Sequence, residues 1–265
     1  MRLGAFLLPF FLLAEALRLA TTTSVYDSGL LDQLLPPFQK ATGIRGEVLA
    51  VGTGQALTLA ARGDVDAVLV HAPDLEAEAV RQGHLAEGFC LAQNRYLLVG
   101  PPKDPARVRE TPTLLEALRR IAKTQAPFVS RGDRSGTHLK ELALWKEAGV
   151  TPAPPWYLES GAGMGQTLVL AAEKGAYTLS DLATYLTVGK KRGLVPLYDR
   201  DDPLVLNQYS YYVAPKSPRL GEARRLRAFL ASPGATQIVA GLKVEGQSLF
   251  QPLRGRCILP VGGSR

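Results

Sequence analysis

The chain has 265 residues, of which 46% are hydrophobic and 21% charged, and this composition excludes a disordered or fibrous protein. The length allows one large or two ordinary domains with a sizeable core, so folding does not depend on disulfides. The formal net charge of +7 favours encounters with anions and leaves the kind of anion open.

The first 16 residues have the pattern of a secretory signal. Met1 and Arg2 precede an apolar run over 3–14, and small residues then stand where a signal peptidase would cut. A transmembrane anchor is the alternative, but the run is shorter than the roughly 20 apolar residues that span a bilayer. We therefore predict a cleaved signal peptide over 1–16 and a soluble, exported mature protein.

Short apolar runs alternate with helical patterns from Leu17 onward, and this alternation is typical of an α/β fold. In the first half, the predicted strands are 17–20, 47–52, 67–72 and 94–102, and the predicted helices are 30–38, 55–61 and 114–122. Pro36 and Pro37 predict a kink or a break in the first of these helices.

The second half continues the same alternation. The predicted strands are 127–130, 176–180 and 207–215, and the predicted helices are 137–148, 165–174, 220–230 and 233–241, the last capped by Ser232. The strands NRYLLVGP and NQYSYYVAP are both rich in aromatic residues and end in Pro. We predict that these two strands pair with each other as crossing strands.

Four polar or glycine-rich loops follow predicted strands and open helices. They are TTTS (21–24), VGTGQ (51–55), SRGDRSGTH (130–138) and GAGMGQT (161–167). Backbone N–H groups at the positive end of a helix dipole favour anions. Each loop alone is commonly an ordinary helix cap, but four such loops together predict an anion site.

Arg131 is the candidate for the charge in that site, because its five fixed N–H donors stand among hydroxyls and glycines at a predicted helix start. The alternative is a surface salt bridge with Asp133. The loop lacks the Gly-Lys-Ser/Thr ending of a phosphate-binding loop, and GAGMG misses the dinucleotide spacing, so a nucleotide cofactor is disfavoured.

The remaining polar residues show no pattern of an enzyme or a metal site. Nothing places His71, His84 or His138 beside a Ser or Cys nucleophile with an orienting acid, and metal-ligand spacing is absent. The basic run over 189–192 has no interleaved aromatic residues, so it does not predict a nucleic-acid groove. We expect no catalysis, no cofactor, no free metal cation and no nucleic-acid partner.

Several blocks taken together resemble the tungstate-binding periplasmic proteins of ABC importers. The blocks are TTTS, DSGLLDQLLPPFQKATG, VGTGQAL, GDVDAVLVHAP, SRGDRSGTH, WYLESGAGMGQTL and AYTLSD, and the resemblance runs from about Leu19 to Pro252. The sequence departs from that family at Val25 and Tyr26 and in the C-terminal extension, RGRCILPVGGSR.

This resemblance implies a two-lobed periplasmic binding protein of the second type, in which each lobe is a mixed, mostly parallel sheet flanked by helices. Lobe one is expected over 17–93 and 208–265 and lobe two over 94–207, with the ligand cleft between them and the crossing strands as a hinge that closes. The implied oxyanion contacts are Thr22, Thr23, Ser24, Thr53, Arg131, Ser135, Gly136 and Thr137.

The resemblance also implies a function: high-affinity periplasmic binding of tungstate, or of molybdate, by a monomer that delivers the anion to a membrane permease with its ATPase subunit. The alternatives are a binding protein or sensor for another tetrahedral oxyanion, such as molybdate, sulfate or phosphate, and an enzyme that uses an anion site.

Cys90 and Cys257 are the two cysteines of the chain. An exported protein meets oxidising conditions, so a disulfide between them, tying down the C-terminal extension, is one hypothesis. Two separate thiols are the alternative, because a sequence gives no distance between side chains.

Overall fold

The computed structural model describes residues 16–200 and 202–259. The predicted signal peptide, except Ala16, and the last six residues of the C-terminal extension lie outside the described residues. The helices are α1 (Thr23–Asp27), α2 (Leu30–Thr42), α3 (Thr53–Arg62), α4 (Pro73–Arg81), α5 (Leu114–Thr124), α6 (Gly136–Glu147), α7 (Met164–Lys174), α8 (Leu182–Thr184), α9 (Leu220–Leu230) and α10 (Pro233–Gly241). Across the described ranges, no helix is both long and apolar enough to cross a membrane.

The strands complete the α/β pattern. They are β1 (Leu17–Thr22), β2 (Gly46–Val51), β3 (Ala67–Val70), β4 (Ala86–Gly100), β5 (Phe128–Ser130), β6 (Tyr157–Glu159), β7 (Thr178–Asp181), β8 (Val195–Tyr198), β9 (Leu206–Val213), β10 (Lys243–Val244), β11 (Gln247–Ser248) and β12 (Gln251–Pro252).

The first sheet has the strand order β12-β4-β9-β3-β1-β2. Strand β1 runs parallel to β2 and β3, and β9 runs antiparallel to β3. Leu69 of β3 is buried with residues of α2, α9 and α10, whereas Val68 and Val70 are buried with residues of α3 and α4. Because helices cover both faces, the strand is apolar throughout, as the sequence indicated.

Strand β4 belongs to two sheets. Its first part pairs with β9, where Gln93 lies opposite Gln208 and Asn94 opposite Asn207, so the predicted pairing of the two aromatic-rich strands is confirmed. From Tyr96 onward, β4 pairs with β7 and β8 instead. Strands β5 and β6 form a separate parallel pair.

The predicted α/β class with mixed sheets flanked by helices is confirmed, but the expectation of mostly parallel sheets is wrong. Every pair that β4 or β9 makes among the described strands is antiparallel. The reason is that these two long strands run in opposite directions through the middle of the molecule. The lobe boundaries remain a prediction.

Helix α2 is unbroken across Pro36 and Pro37, so a break at that point is excluded. Each proline removes one backbone donor, yet Leu30, Leu34 and Phe38 of this helix are fully buried. Their packing offsets the lost hydrogen bonds.

The C-terminal extension is joined to β4 by a disulfide between Cys90 and Cys257, which confirms the first of the two alternatives. The N–H of Gly255 donates to the Cys90 carbonyl at 2.9 Å. The N–H groups of Ile258 and Leu259 then donate to Oε1 of Gln208 in β9, at 2.7 and 3.0 Å. The extension is thereby attached to both long strands.

Candidate functional site

The first group of predicted site residues lies at the carboxyl ends of parallel strands. Thr22 is the last residue of β1 and lies beside Val51, the last residue of β2, so Thr53 at the start of α3 lies at the same edge of the sheet. Ligand crevices of α/β sheets form at this edge. The hydroxyl region is the name we give to Thr22, Thr23, Ser24 and Thr53.

The side chains of the hydroxyl region are held by local contacts. Thr22 caps α1, because its Oγ1 accepts the N–H of Val25 at 3.3 Å, and the hydroxyls of Thr22 and Ser24 are 3.2 Å apart. Thr22, Ser24 and Thr53 are buried, and Thr23 is half-buried. These residues supply neutral hydrogen-bond donors without bringing a charge.

The second group lies where β5 ends and α6 begins. Ser135 caps α6, since its Oγ accepts the N–H of His138 at 3.3 Å. Gly132 has a φ of 66°, and a Cβ there would lie 2.8 Å from the Cβ of Glu159, so this turn of the loop requires glycine. The arginine region is the name we give to Arg131, Ser135, Gly136 and Thr137.

Arg131 is buried, with 3% of its side chain exposed. Its Nη2 donates to Oδ2 of Asp133 at 2.5 Å and to Oγ1 of Thr23 at 3.5 Å. The alternative interpretation, a surface salt bridge with Asp133, is therefore half correct: the ion pair exists, but its guanidinium is removed from water. A buried guanidinium needs further acceptors to offset its desolvation.

Asp133 orients Arg131 and remains ionised at neutral pH. Burial works against its charge, but the Ser135 hydrogen bonds and the charge of Arg131 outweigh burial and hold the pKa of Asp133 below its ordinary value. The N–H of Ser135 donates to Oδ1 of Asp133 at 3.1 Å. One carboxylate thus fixes both the guanidinium and the start of α6.

The two regions meet directly. Arg131 reaches Thr23, and Gly136 packs so closely on His71 that a Cβ on Gly136 would lie 2.8 Å from the ring Cε1. Within residues 16–200 and 202–259, the buried atoms Thr53 Oγ1, Arg131 Nε and Thr137 Oγ1 have no hydrogen-bond partner. An unpaired buried polar group costs about 1–3 kcal/mol, so each of these atoms favours a ligand rich in acceptors.

The fourth predicted anion loop supports the arginine region from behind. The hydroxyl of Thr167, which lies in α7, is 2.8 Å from that of Ser160, and Ser160 Oγ donates to the Arg131 carbonyl at 3.2 Å. Thr167 Oγ1 also lies 3.0 Å from the carbonyl oxygen of Gly163. These side-chain contacts lie within the protein, and the one from Ser160 holds the backbone of Arg131.

His71 was missed by the sequence analysis. It follows β3 directly, and its Nε2 lies 3.4 Å from Ser24 Oγ, while its Nδ1 lies 3.1 Å from the hydroxyl of Tyr96. The sequence signal that could have identified His71 is its position directly after a buried strand that runs parallel to β1. Burial, and then the charge of Arg131, lower the pKa of His71 to about 4, so the ring is neutral at pH 7. Its second partner is a phenol, not the carboxylate that orients a catalytic histidine.

The described residues also bear on metal binding. In the part of the chain that the structure describes, no group of three or more His, Cys, Asp or Glu side chains could hold a metal ion. The arrangement of hydroxyls, backbone N–H groups and one guanidinium is suited to an oxyanion, which accepts hydrogen bonds on every oxygen.

Comparisons with known proteins agree with this geometry. Residues 14–233 match the model of a PBP superfamily domain. The chain is 43% identical over 244 residues to the tungstate-binding protein TupA of Peptoclostridium acidaminophilum, a match that covers 88% of this chain and 84% of that protein.

Two solved structures are similar over most of their length. The tungstate ABC transporter structure from Geobacter sulfurreducens is 42% identical with a TM-score of 0.76, covering 86% of this chain and 98% of that one. The tungstate-binding protein TupA from Desulfovibrio alaskensis G20 is 39% identical with a TM-score of 0.75, covering 90% and 99%. The resemblance found in the sequence blocks is confirmed, as is the expectation of a binding protein that is not an enzyme. The chain belongs to the PBP superfamily and, within it, to the family of these tungstate-binding proteins.

Proposed function

We propose that this protein binds tungstate, with molybdate as a second ligand, in the periplasm and delivers it to the permease of an ABC importer. The relatives that share about two fifths of its sequence are described as tungstate-binding proteins and as part of a tungstate ABC transporter. Family membership supports the class of ligand, and the geometry of the site supports the mode of binding.

One observation carries the proposal: a buried arginine of one region reaches a hydroxyl of the other, Thr23, and each region has a buried polar atom without a partner in the described residues. A tetrahedral dianion accepts hydrogen bonds on four oxygens and is stabilised by charge-assisted contacts. Arg131 supplies the charge, and its Nε–H has no partner in the described residues. The hydroxyls of Thr22, Thr23, Ser24, Thr53, Ser135 and Thr137 and the N–H of Gly136 supply the remaining contacts.

The site is complete only when the two regions touch, so binding and closure are coupled. In the proposal the hydroxyl region belongs to lobe one (17–93 and 208–265) and the arginine region to lobe two (94–207). Strands β4 and β9 connect these lobes. A ligand that contacts both lobes stabilises the closed state by the difference in its affinity for the two states.

Location and assembly follow from the same proposal. The signal pattern over 1–16 and the disulfide between Cys90 and Cys257 both support export to an oxidising compartment. We assign the permease and its ATPase subunit as partners and a monomer as the unbound form. Gel filtration of the mature chain checks the monomer.

Calorimetric titration of the purified mature chain with tungstate, molybdate, sulfate and phosphate tests the ligand. We expect tungstate to bind most tightly and to raise the unfolding midpoint, because a ligand at 100 times its dissociation constant stabilises the folded state by about 2.7 kcal/mol. Absence of tungstate binding, or equal affinity for sulfate, would overturn the proposal.

A further inference from the structure

A chain of polar contacts runs from the candidate site to the middle of the molecule. Ser24 Oγ lies 3.4 Å from Nε2 of His71, and Nδ1 of the same ring lies 3.1 Å from the hydroxyl of Tyr96 in β4. All three residues are buried. These contacts therefore join Ser24 of the hydroxyl region to β4, the strand that belongs to both sheets.

The imidazole ring of His71 is fixed in place. The ring of Tyr209 lies against it with 5.0 Å between centroids, and Gly136 packs against it at a distance that leaves no room for a Cβ. With both nitrogens engaged, the ring cannot turn without breaking both contacts. What can still differ is which of the two atoms in each contact carries the proton.

A neutral imidazole carries a single N–H, so only two proton arrangements satisfy both contacts. In the first, the Tyr96 hydroxyl donates to Nδ1, and Nε2–H donates to Ser24 Oγ. In the second, Nδ1–H donates to Tyr96, and the Ser24 hydroxyl donates to Nε2. The first leaves the proton of Ser24 for the ligand or for Thr22 Oγ1, which lies 3.2 Å away, whereas the second turns a lone pair of Ser24 toward the ligand.

We propose that Tyr96 and His71 are positioning residues that hold the first arrangement, so that Ser24 is committed to donate and the site selects fully deprotonated oxyanions. This inference rests on the proposed function. In that arrangement every O–H and N–H dipole of the chain points toward the anion, and hydrogen bonds aligned in this way polarise and strengthen one another. The reverse order would place oxygen lone pairs against a negative ligand.

The electrostatics around the ring support a single N–H. Burial and the nearby Arg131 keep the pKa of His71 at about 4, so the imidazolium form, which would donate from both nitrogens, is absent at pH 7. Burial, and then the charge of Asp181, raise the pKa of Tyr96 far above its ordinary value, so the phenol keeps the proton that it donates.

A double-mutant cycle tests whether Tyr96 acts through Ser24. We expect Tyr96→Phe to lower tungstate affinity about tenfold, the scale of one buried hydrogen bond. In a Ser24→Ala background the same change should cost less than threefold, because the hydroxyl that it orients is gone. Tyr185→Phe is the matched control, since it removes a buried tyrosine hydroxyl that donates to the Leu194 carbonyl away from the site. An equal factor in both backgrounds would overturn the proposal.

Nitrogen-15 NMR of the wild-type chain, labelled at histidine, tests the tautomer without any substitution. The chain has three histidines, and His138 serves as a reference, because its Nδ1 accepts the N–H of Arg134 at 2.9 Å and its proton therefore lies on Nε2. We expect the same tautomer for His71. A proton on Nδ1 would overturn the inference whatever the wild type binds, whereas failure of the wild type to bind tungstate would refute the proposed function alone.

Discussion

The hydroxyl region and the arginine region differ in what they would contribute to the proposed site. The first consists of neutral hydroxyls at the carboxyl edge of a parallel sheet, where Thr22 and Ser24 hold each other in position. The second carries one buried charge, Arg131, held by Asp133 and by the hydrogen bond of Ser160 to its carbonyl. In the proposed site, shape and charge would therefore come from separate parts of the chain and act together only where the regions meet.

Removing the charge should have the largest effect. We expect Arg131→Ala to cost on the order of 2–5 kcal/mol of binding free energy, or roughly 30-fold to several thousand-fold in tungstate affinity, because it deletes a desolvated charge-assisted contact. Calorimetric titration measures the loss.

Arg134→Ala is the matched control for the charge. Arg134 stands in the same loop but is exposed, so its removal should change tungstate affinity by less than about threefold. A near-native affinity of Arg131→Ala would show that the arginine region does not supply the charge of the site.

The contact between the regions can be broken without touching any proposed donor side chain. Gly136→Ala would place a methyl group 2.8 Å from Cε1 of His71. Overpacking of this kind costs about 1–3 kcal/mol, and because the strain arises where the regions meet, we expect it as a loss of roughly five- to 150-fold in affinity. Gly165→Ala is the control, since its Cβ would meet Val188 at 3.8 Å, an ordinary contact. Equal affinities of the two variants would contradict closure at Gly136.

Removing one hydroxyl from each region compares their neutral donors. Thr53→Val and Thr137→Val each delete a buried Oγ1 that has no partner within the described ranges. We expect each to cost about 1 kcal/mol of binding energy, or roughly fivefold in affinity, with little loss of stability in the absence of anion. A variant that loses stability but keeps its affinity would show that its hydroxyl serves the fold and not the ligand.

Two buried glutamates, Glu76 in α4 and Glu141 in α6, should affect the stability of the fold and not the affinity for tungstate. Burial raises the pKa of Glu76 and of Glu141 to about 7, partly offset by hydrogen bonds from Ala72 and Tyr157 respectively. The folded pKa of each glutamate lies above the ordinary value of 4.5, so between pH 4.5 and about 7 the folded chain binds more protons than the unfolded chain. The stabilisation from these two groups is therefore complete below pH 4.5 and is lost as the pH rises through about 7.

We therefore expect the two glutamates together to lower the unfolding midpoint without anion by roughly 10 °C as the pH rises from about 5 to about 8, because each loses about 2 kcal/mol of stabilisation. Buried His71 offsets part of this fall, since its lowered pKa makes its own contribution to stability rise with pH over part of the same range. Calorimetry measures the midpoint. Glu76→Gln combined with Glu141→Gln should flatten this slope. The wild-type slope persisting in the double variant would show that other groups titrate.

Periodicity was sufficient to place most of the longer helices, although α4 (Pro73–Arg81) was not predicted. The apolar spacing over 220–230 and the Ser-Pro start of the next helix match α9 and α10, and Ser232 caps α10 by accepting the N–H of Ala235 at 3.2 Å. Strand β4 was predicted to begin at Asn94 but begins at Ala86. A left-handed residue, Glu87, and a register shift interrupt the alternation there, so the pattern of a strand is lost.

The positions of the candidate site residues were predictable to the extent that they follow strand ends. The loops after β1, β2 and β5 were recognised because hydroxyls and glycines mark helix starts. The role of His71 depends on its contacts with Ser24, Tyr96 and Gly136, which lie 25 to 65 positions away in the sequence. Local sequence carries no record of such contacts.

The disulfide also has a topological consequence. Cys90 and Cys257 are separated by 167 positions, so the bond closes a covalent ring that contains the whole of the predicted second lobe, 94–207. A chain cut once by a protease inside this ring would migrate as one molecule on a non-reducing gel and as two fragments after reduction. The arginine region would thus stay tethered to the hydroxyl region after its backbone connection on one side had been severed.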